Sequence, residues 1–444
     1  MMSIPESKGY GTMLERLFHL SGHRTSLRTE ALAGATTFLT MAYIIFVNPA
    51  MLAETGMDKG AVFVATCLAA ALGSIAMGLL ANYPIALAPG MGLNAYFTYG
   101  VVIGMGVPWP VALGAVFVSG VLFLILALTK VREAIINAVP QSLKLAISAG
   151  IGLFLGLIAF ENAGLIEGHK ATLITLGHLN RPEPLLAVCG FMVMVGLEAR
   201  KVPGAIMIGI LGTAAAGMAL GVTPFGGIAA WPPSLAPTFL KMDVAGALNL
   251  GLVTIVFALL FVDLFDNAGT LIGLAHRAGM LDERGRLPRL GRALIADSLA
   301  AMAGGILGTS TTTSYIESAS GINAGGRSGL AAVVTGLFFV AALFLAPLAA
   351  AIPAYATAPA LLFVACLMAR SLADIAWDDI TEAVPALVTA LAMPFTFSIA
   401  HGISFGFITY AAVKLLGGKA RDVGPAVWLL AGAFVLKFVL LGSV

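Results

Sequence analysis

The sequence predicts an all-α polytopic membrane protein, and three observations carry that prediction. Hydrophobic residues make up 59% of the 444-residue chain and charged residues only 10%, more apolar surface than a soluble core buries. Apolar runs long enough to cross a bilayer recur from residue 31 almost to the end. The interruptions in those runs come in pairs, half a chain apart, as in internally repeated transporter folds. A formal net charge of +2 argues against a nucleic-acid partner, which leaves the lipid bilayer as the surrounding medium. Cys67, Cys189 and Cys366 stand in apolar segments at unrelated spacings and read as packing residues.

Taken in order, residues 1–29 set Leu14, Leu17, Phe18 and Leu20 at helical spacing among Lys8, Arg16, Arg24 and Arg28. This reads as a short amphipathic segment on the cytoplasmic surface, without a cleavable signal. Apolar segments follow at 31–52, 60–81, 85–103, 108–129, 143–166, 185–199 and 203–221. After a loop bearing Trp231-Pro232-Pro233, more lie at 247–275, 290–308, 309–323, 328–350, 357–372, 381–400, 402–416 and 424–443. The total is roughly thirteen to fifteen, with 309–323 weak and polar. With the N-terminus cytoplasmic, Lys130, Arg132, Lys144, Arg200, Lys201, Arg277, Arg284, Arg286, Arg289 and Arg292 fall on the cytoplasmic side. Lys414, Lys419 and Arg421 join them, as the positive-inside rule requires.

The repeat is visible in residues. Gly78-Leu79-Leu80-Ala81-Asn82 resembles Gly305-Ile306-Leu307-Gly308-Thr309, and each leads into a span too polar and broken for an ordinary helix. The first, span 3, reads Ala88-Pro89-Gly90-Met91-Gly92-Leu93-Asn94-Ala95-Tyr96; the second, span 10, runs from Thr309 to Ser318. Val139-Pro140 and Ile352-Pro353 then precede the fifth segment of each half. Matched interruptions of this kind point to a midplane binding site between the repeats, and an odd number of spans per half inverts their topology.

The polar residues at membrane depth carry the chemistry. In the run Phe257 to Leu271, Asp263, Asp266 and Thr270 fall at i, i+3 and i+7, on one face of a helix. An ionised carboxylate in the bilayer costs a few kcal/mol or more, so it faces a cavity or the bundle interior. Packing glue between helices is the bland alternative for this pair. Glu317 follows the hydroxyl-rich stretch Thr309–Ser314 and is placed at the end of a short extended piece or at a half-helix N-terminus; pairing with Arg327 is its alternative. Asn94 offers an amide that both donates and accepts, suited to heterocycle edges, or else a local backbone cap. Tyr96, Phe261, Phe265 and Tyr315 offer rings to a flat ligand, though such residues are more often simply core. Asp297, five residues past Arg292, reads as snorkelling or structural, and His401 as structural.

Absent motifs narrow the class. No Gly-x-x-x-x-Gly-Lys-Ser/Thr loop drives transport by nucleotide hydrolysis, and no His-Glu-x-x-His or Cys/His cluster suggests a metal or a metalloenzyme. Neither broken span contains Lys or Arg, so the site suits a hydrogen-bond donor or a cation over an anion.

The run Phe261-Val262-Asp263-Leu264-Phe265-Asp266-Asn267-Ala268-Gly269-Thr270-Leu271 and the stretch from Thr312 to Gly321 resemble the AzgA-like purine permeases. These are the adenine/guanine/hypoxanthine branch of the nucleobase/cation symporter 2 superfamily. Pro84 to Phe97 and Gly325 to Leu330 share the likeness, which extends roughly from Leu14 to Lys414. Uracil and xanthine branches carry a Glu-His-x-Gly-His type motif where this chain has Asp266-Asn267-Ala268-Gly269-Thr270, which argues against those two bases.

The resemblance implies about fourteen spans in two inverted seven-span repeats. Spans 1–4 and 8–11 (residues 30–130 and 246–350) would form a core domain, and spans 5–7 and 12–14 (131–245 and 351–444) a gate domain. It further implies proton symport, a homodimer through the gate domain and a place in the cell's inner membrane. The base would be held by Asp266 and Glu317, with Asp263 and Asn94 also needed for transport. The mechanism expected is import of a neutral purine with one proton and no other cofactor. Glu317 takes two parallel N–H bonds, Asp266 holds another edge, and Thr270, Tyr315 and Phe261 complete the site. Asp263, Asp266 and Glu317 form the proton-coupling set, with Asp263 the favoured carrier, because neighbouring carboxylates do not both ionise cheaply. An anion carrier of the same architecture is the first rival; it would want a basic residue in span 10 and a soluble C-terminal domain, and the sequence shows neither. An intramembrane aspartyl protease using Asp263 and Asp266 is the second, but adjacent turns of one helix place such a dyad poorly.

Overall fold

The computed structural model describes residues 13–129, 139–170, 172–224, 227–249, 253–280 and 287–441. Within its helices the side chains at 253, 254, 265, 266, 268, 269, 272, 276, 277, 437, 440 and 441 lie outside the description.

Prolines, glycines and capping hydroxyls decide where the helices stop. The chain opens with α1 (Met13–Phe18), then a first span broken into α2 (Leu27–Met41) and α3 (Ile44–Ala53). Helix α4 (Lys59–Ala76) continues as a π-helical turn to Ala81. Ser26 and Asp58 cap α2 and α4 by accepting the backbone N–H groups of Thr29 and Ala61. The third span is a strand, β1 (Leu87–Pro89), with a short helix, α5 (Met91–Ala95), that runs on as π-helix to Gly104; α6 (Trp109–Leu128) is the fourth. Then come α7 (Gln141–Asn162), a hairpin of β2 (Ile166–His169) and β3 (Leu173–Leu176), α8 (Pro182–Ala199), α9 (Ala205–Ala219) and the single turn α10 (Val244–Ala247).

The second half repeats the order of the first. Two long helices, α11 (Val253–Arg277) and α12 (Leu290–Leu307), lead into a strand, β4 (Thr312–Ser314), and a short helix, α13 (Ser318–Asn323). The pair α14 (Gly329–Ala342) and α15 (Ala346–Ala351) follows, then α16 (Ala354–Ala369), α17 (Ile380–Phe395), α18 (Ile399–Leu416) and α19 (Pro425–Leu441). Among the described residues nine helices are long and apolar enough to cross a membrane. Ala205–Ala219, Ile255–Leu264, Ile380–Phe395 and Pro425–Leu436 are shorter apolar helices. The fold is therefore the helical, multi-span one expected, with two spans interrupted by strand.

The matched stretches behave alike. The first ends at Asn82, φ +54°, and the second turns at Gly308, φ +96°, so each half leaves helix through left-handed backbone before its strand. Pro140 and Pro353 sit at the N-caps of α7 and α16. The apolar run 143–166 is not helical to its end: α7 stops at Asn162, Gly164 takes φ +69°, and Ile166 opens the exposed hairpin.

Helices of the two halves interleave. Helix α12 packs on α6 and α4, and α14 on α4 and α2, while α7 packs on α16 and α17. Where the second span meets α14, glycine is obligatory: a Cβ on Gly329 would lie 2.0 Å from the Gly78 carbonyl oxygen, and one on Gly78 2.4 Å from that of Gly329. The apolar residues of the N-terminal segment fall into two groups. Phe18 and Leu20 are buried with Leu330, while Met13, Leu14 and Leu17 are exposed.

Candidate functional site

Breaking two helices at membrane depth strands peptide groups that have no water to bond. Here the two breaks satisfy one another. Strands β1 and β4 pair antiparallel, with Leu87 opposite Ser314, Ala88 opposite Thr313 and Pro89 opposite Thr312. β-Branched threonines favour the extended backbone on one side, and Pro89 ends the strand on the other. Beyond the strands, the Tyr315 N–H donates to the Ala86 carbonyl at 3.0 Å and the Gly90 N–H to the Thr311 carbonyl at 3.0 Å.

Side chains from neighbouring elements brace this crossing. Ser74 accepts the Leu87 N–H at 2.9 Å and donates to its carbonyl at 3.0 Å. Ser318 accepts the Ala86 N–H at 3.0 Å. Asn48, wholly buried in span 1, donates to the hydroxyls of Thr66 at 2.7 Å and Thr309 at 2.8 Å. Tyr315, 4% exposed, donates its hydroxyl to the Pro89 carbonyl at 2.6 Å, so its oxygen is committed to the crossing and its ring is what remains for a ligand.

Glu317 stands at the N-cap of α13, where the sequence places it. Its Oε1 accepts the hydroxyl of the buried Tyr43 at 2.6 Å. Arg327 has other engagements: Nη1 donates to the carbonyls of Ile322 at 2.6 Å and Gly326 at 2.7 Å. Its backbone N–H and that of Ser328 go to the carboxylate of the fully buried Glu30, at 2.9 and 3.2 Å. Asn94, also fully buried, accepts the Ser310 hydroxyl at Oδ1, and its Nδ2 lies 3.5 Å from the Pro89 carbonyl.

Helix α11, which carries the acidic stretch, packs against β4, α5 and α13. Asp263 is 3% exposed, Asn267 one turn on is fully buried, and Thr270 is half-buried. Asp266 lies in the same helix, and its side chain, like that of Phe265, is outside the described residues. The Asn267 amide and the hydroxyls of Thr311, Thr312, Thr313 and Ser314 have no hydrogen-bond partner among the described residues. A buried set of unspent donors and acceptors beside carboxylates suits a flat polar heterocycle better than an apolar or anionic ligand. Phe261 borders an apolar crevice of about 280 Å³ with Phe257, Ile403, Leu430 and Phe434, and a second of about 210 Å³ with Leu122 and Leu264.

Asp297 is fully buried in α12, so it does not snorkel to water and the structural alternative stands. His401 packs its ring against Phe405 and Phe438 at centroid distances of 6.4 and 5.8 Å, as a structural residue does. Tyr43, Asn48 and Asn267 were not among the expected site residues. Asn48 carries a legible signal, an amide at membrane depth followed by Pro49; Tyr43 looks like core.

The model described as "Permease family", for xanthine and uracil permeases, matches residues 28–405. The adenine permease AdeP of Escherichia coli is 48% identical over 99% of this chain and 98% of its own length. The guanine/hypoxanthine permease PbuG of Bacillus subtilis is 47% identical over 96% of this chain and 100% of its own. Among solved structures, the transmembrane domain of the cyanobacterial bicarbonate transporter BicA superposes with a TM-score of 0.64, covering 86% of this chain and 97% of that one. At 15% identity that likeness is one of fold alone.

Proposed function

Since the chain belongs to the xanthine/uracil permease family, in its AzgA-like purine branch, we propose that it imports adenine, guanine or hypoxanthine by proton symport. It is a multi-pass membrane transporter and not an enzyme. The observation that carries the substrate reading is the β1–β4 crossing, with unspent hydroxyls and an amide beside buried Asp263 and with Glu317 at the next helix start.

In this reading the ring N–H groups of a neutral purine donate to the carboxylates of the site. Glu317 accepts a parallel pair, Asp266 holds another edge, and Asn94 and Thr270 supply polar contacts. The rings of Tyr315 and Phe261 offer apolar faces. Asp263 carries the proton, in coupled titration with Asp266 and Glu317. Loading a proton with the base removes charge at the midplane, so residues 30–130 and 246–350 cross as a core past a gate of 131–245 and 351–444. Each proton moved inward gains roughly 2.3 kcal/mol per 100 mV. The gate domain would also form the homodimer contact, in the inner membrane with the N-terminus cytoplasmic.

The test is uptake of the three labelled purines by cells lacking their own permeases, with and without a protonophore. Accumulation of at least one purine that collapses with the protonophore is expected. Uptake that ignores the protonophore and follows sodium would remove the proton, and uptake of none of the three would remove the substrate class.

A further inference from the structure

Resting on the purine-symport reading, we propose that Tyr43 is a positioning residue that fixes the Glu317 carboxylate for the incoming base. Span 1 is interrupted at Ala42 and Tyr43, between α2 and α3, at the level of the site. The break turns the phenol inward: Tyr43 is 1% exposed, and its hydroxyl donates to Glu317 Oε1 at 2.6 Å. One turn earlier, the Thr40 hydroxyl lies 3.4 Å from the Glu317 carbonyl, besides bonding its own helix. Span 1 thus grips both the backbone and the side chain of the residue that caps α13.

The chemistry follows from counting acceptor sites. A carboxylate has two oxygens and about four lone-pair sites, and the phenol takes one of them. A base that presents N–H donors to Glu317 then meets a carboxylate already oriented at Oε1. A phenol is a stiff arm, so it limits rotation of the carboxyl plane, and bonds from donors to carboxylates are among the stronger ones in proteins. An O–H donor also suits a carboxylate that serves only as an acceptor. That suits Glu317 to holding the base, while Asp263 carries the proton in coupled titration with Asp266 and Glu317.

The test compares purified wild type, Tyr43→Phe and Tyr43→His in proteoliposomes, measuring purine uptake kinetics and thermal unfolding. Tyr43→Phe should raise KM about ten-fold or more. Its maximal rate per folded molecule should stay within about two-fold and its unfolding midpoint should hold. Tyr43→His keeps a ring donor and should recover most of the loss; it carries the test should the phenylalanine variant fail to reach the membrane. An unchanged KM, or a lowered unfolding midpoint with normal KM, overturns the assignment and leaves Tyr43 a packing residue. If wild-type protein takes up none of the three purines, the purine reading fails first and this inference falls with it.

Discussion

The hydroxyl of Tyr315 reaches diagonally back along the strand pair to the carbonyl of Pro89, 2.6 Å away, and so ties the second interrupted span to the first. Its own N–H is already spent on Ala86. Removing the hydroxyl strips a buried carbonyl of its best donor, at a cost of about 1–3 kcal/mol. Tyr315→Phe should therefore lower the unfolding midpoint of detergent-purified protein and reduce uptake without changing which purine is preferred. A shift in preference would mean that the hydroxyl touches the base.

The aspartates of α11 should separate by phenotype. Asp266→Asn should reach the membrane at normal levels and take up no labelled hypoxanthine, since it removes a contact to the base. Asp263→Asn should still exchange external for internal purine down a gradient, yet fail to accumulate it, because only the proton site is lost. Counterflow and protonophore-sensitive accumulation, measured side by side, check both. Normal accumulation in Asp263→Asn would move the proton to another carboxylate.

Away from the site, Lys414 and Glu382 form an ion pair at 2.5 Å, with side chains only 4% and 21% exposed. Ser142 donates to the second carboxylate oxygen, and the Tyr410 hydroxyl lies 3.1 Å from the first. Taking away one partner of such a pair costs about 3–5 kcal/mol, whereas replacing both with apolar residues costs far less. Lys414→Met should lower the thermal midpoint sharply, and the double change with Glu382→Leu should restore much of it. Strict additivity of the two single effects would show that the charges do not interact.

On the loop before α17, the Lys419 ammonium, aided by the Thr381 hydroxyl and N–H, holds the Asp379 carboxyl below its usual range. A carboxyl depressed by folding stabilises the fold above its unfolded value, near pH 4, and loses that contribution as pH falls through the folded one. Lys419→Met should therefore lower the unfolding midpoint at pH 7, with the gap to wild type narrowing below about pH 4. A gap that persisted or widened in acid would point to packing rather than charge.

Much of this arrangement is legible in the chain, and the limits have physical causes. Pro89-Gly90 and the hydroxyl run at Thr309–Ser314 mark the two breaks, because proline gives up a backbone donor and a run of β-branched threonines favours extended backbone. Glu317 as a helix start follows from what precedes it. That three residues of one break pair with three of the other is a non-local fact, with partners more than two hundred positions apart and no side-chain alternation to set register. Tyr43 escapes notice because a phenol inside Met41-Ala42-Tyr43-Ile44-Ile45 has the pattern of core; only its oxygen sets it apart. The hairpin at 166–176 is hidden by Ile166, Leu173 and Leu176, apolar residues that stand on its surface. Proximity to Arg292 suggests that Asp297 can reach water, but burial is decided by which face of α12 meets α4 and α6.

Gly78 and Gly329 touch main chain to main chain, with the Gly329 N–H accepted by the Asn82 amide oxygen at 2.6 Å just beyond. Between them there is no side chain to swivel and act as a bearing. The second span and α14 are consequently keyed like gear teeth, and relative slip would force one carbonyl over another. Any displacement that carries cargo from one face to the other has to move both as a single block, so its pivots belong in connecting loops rather than along this seam.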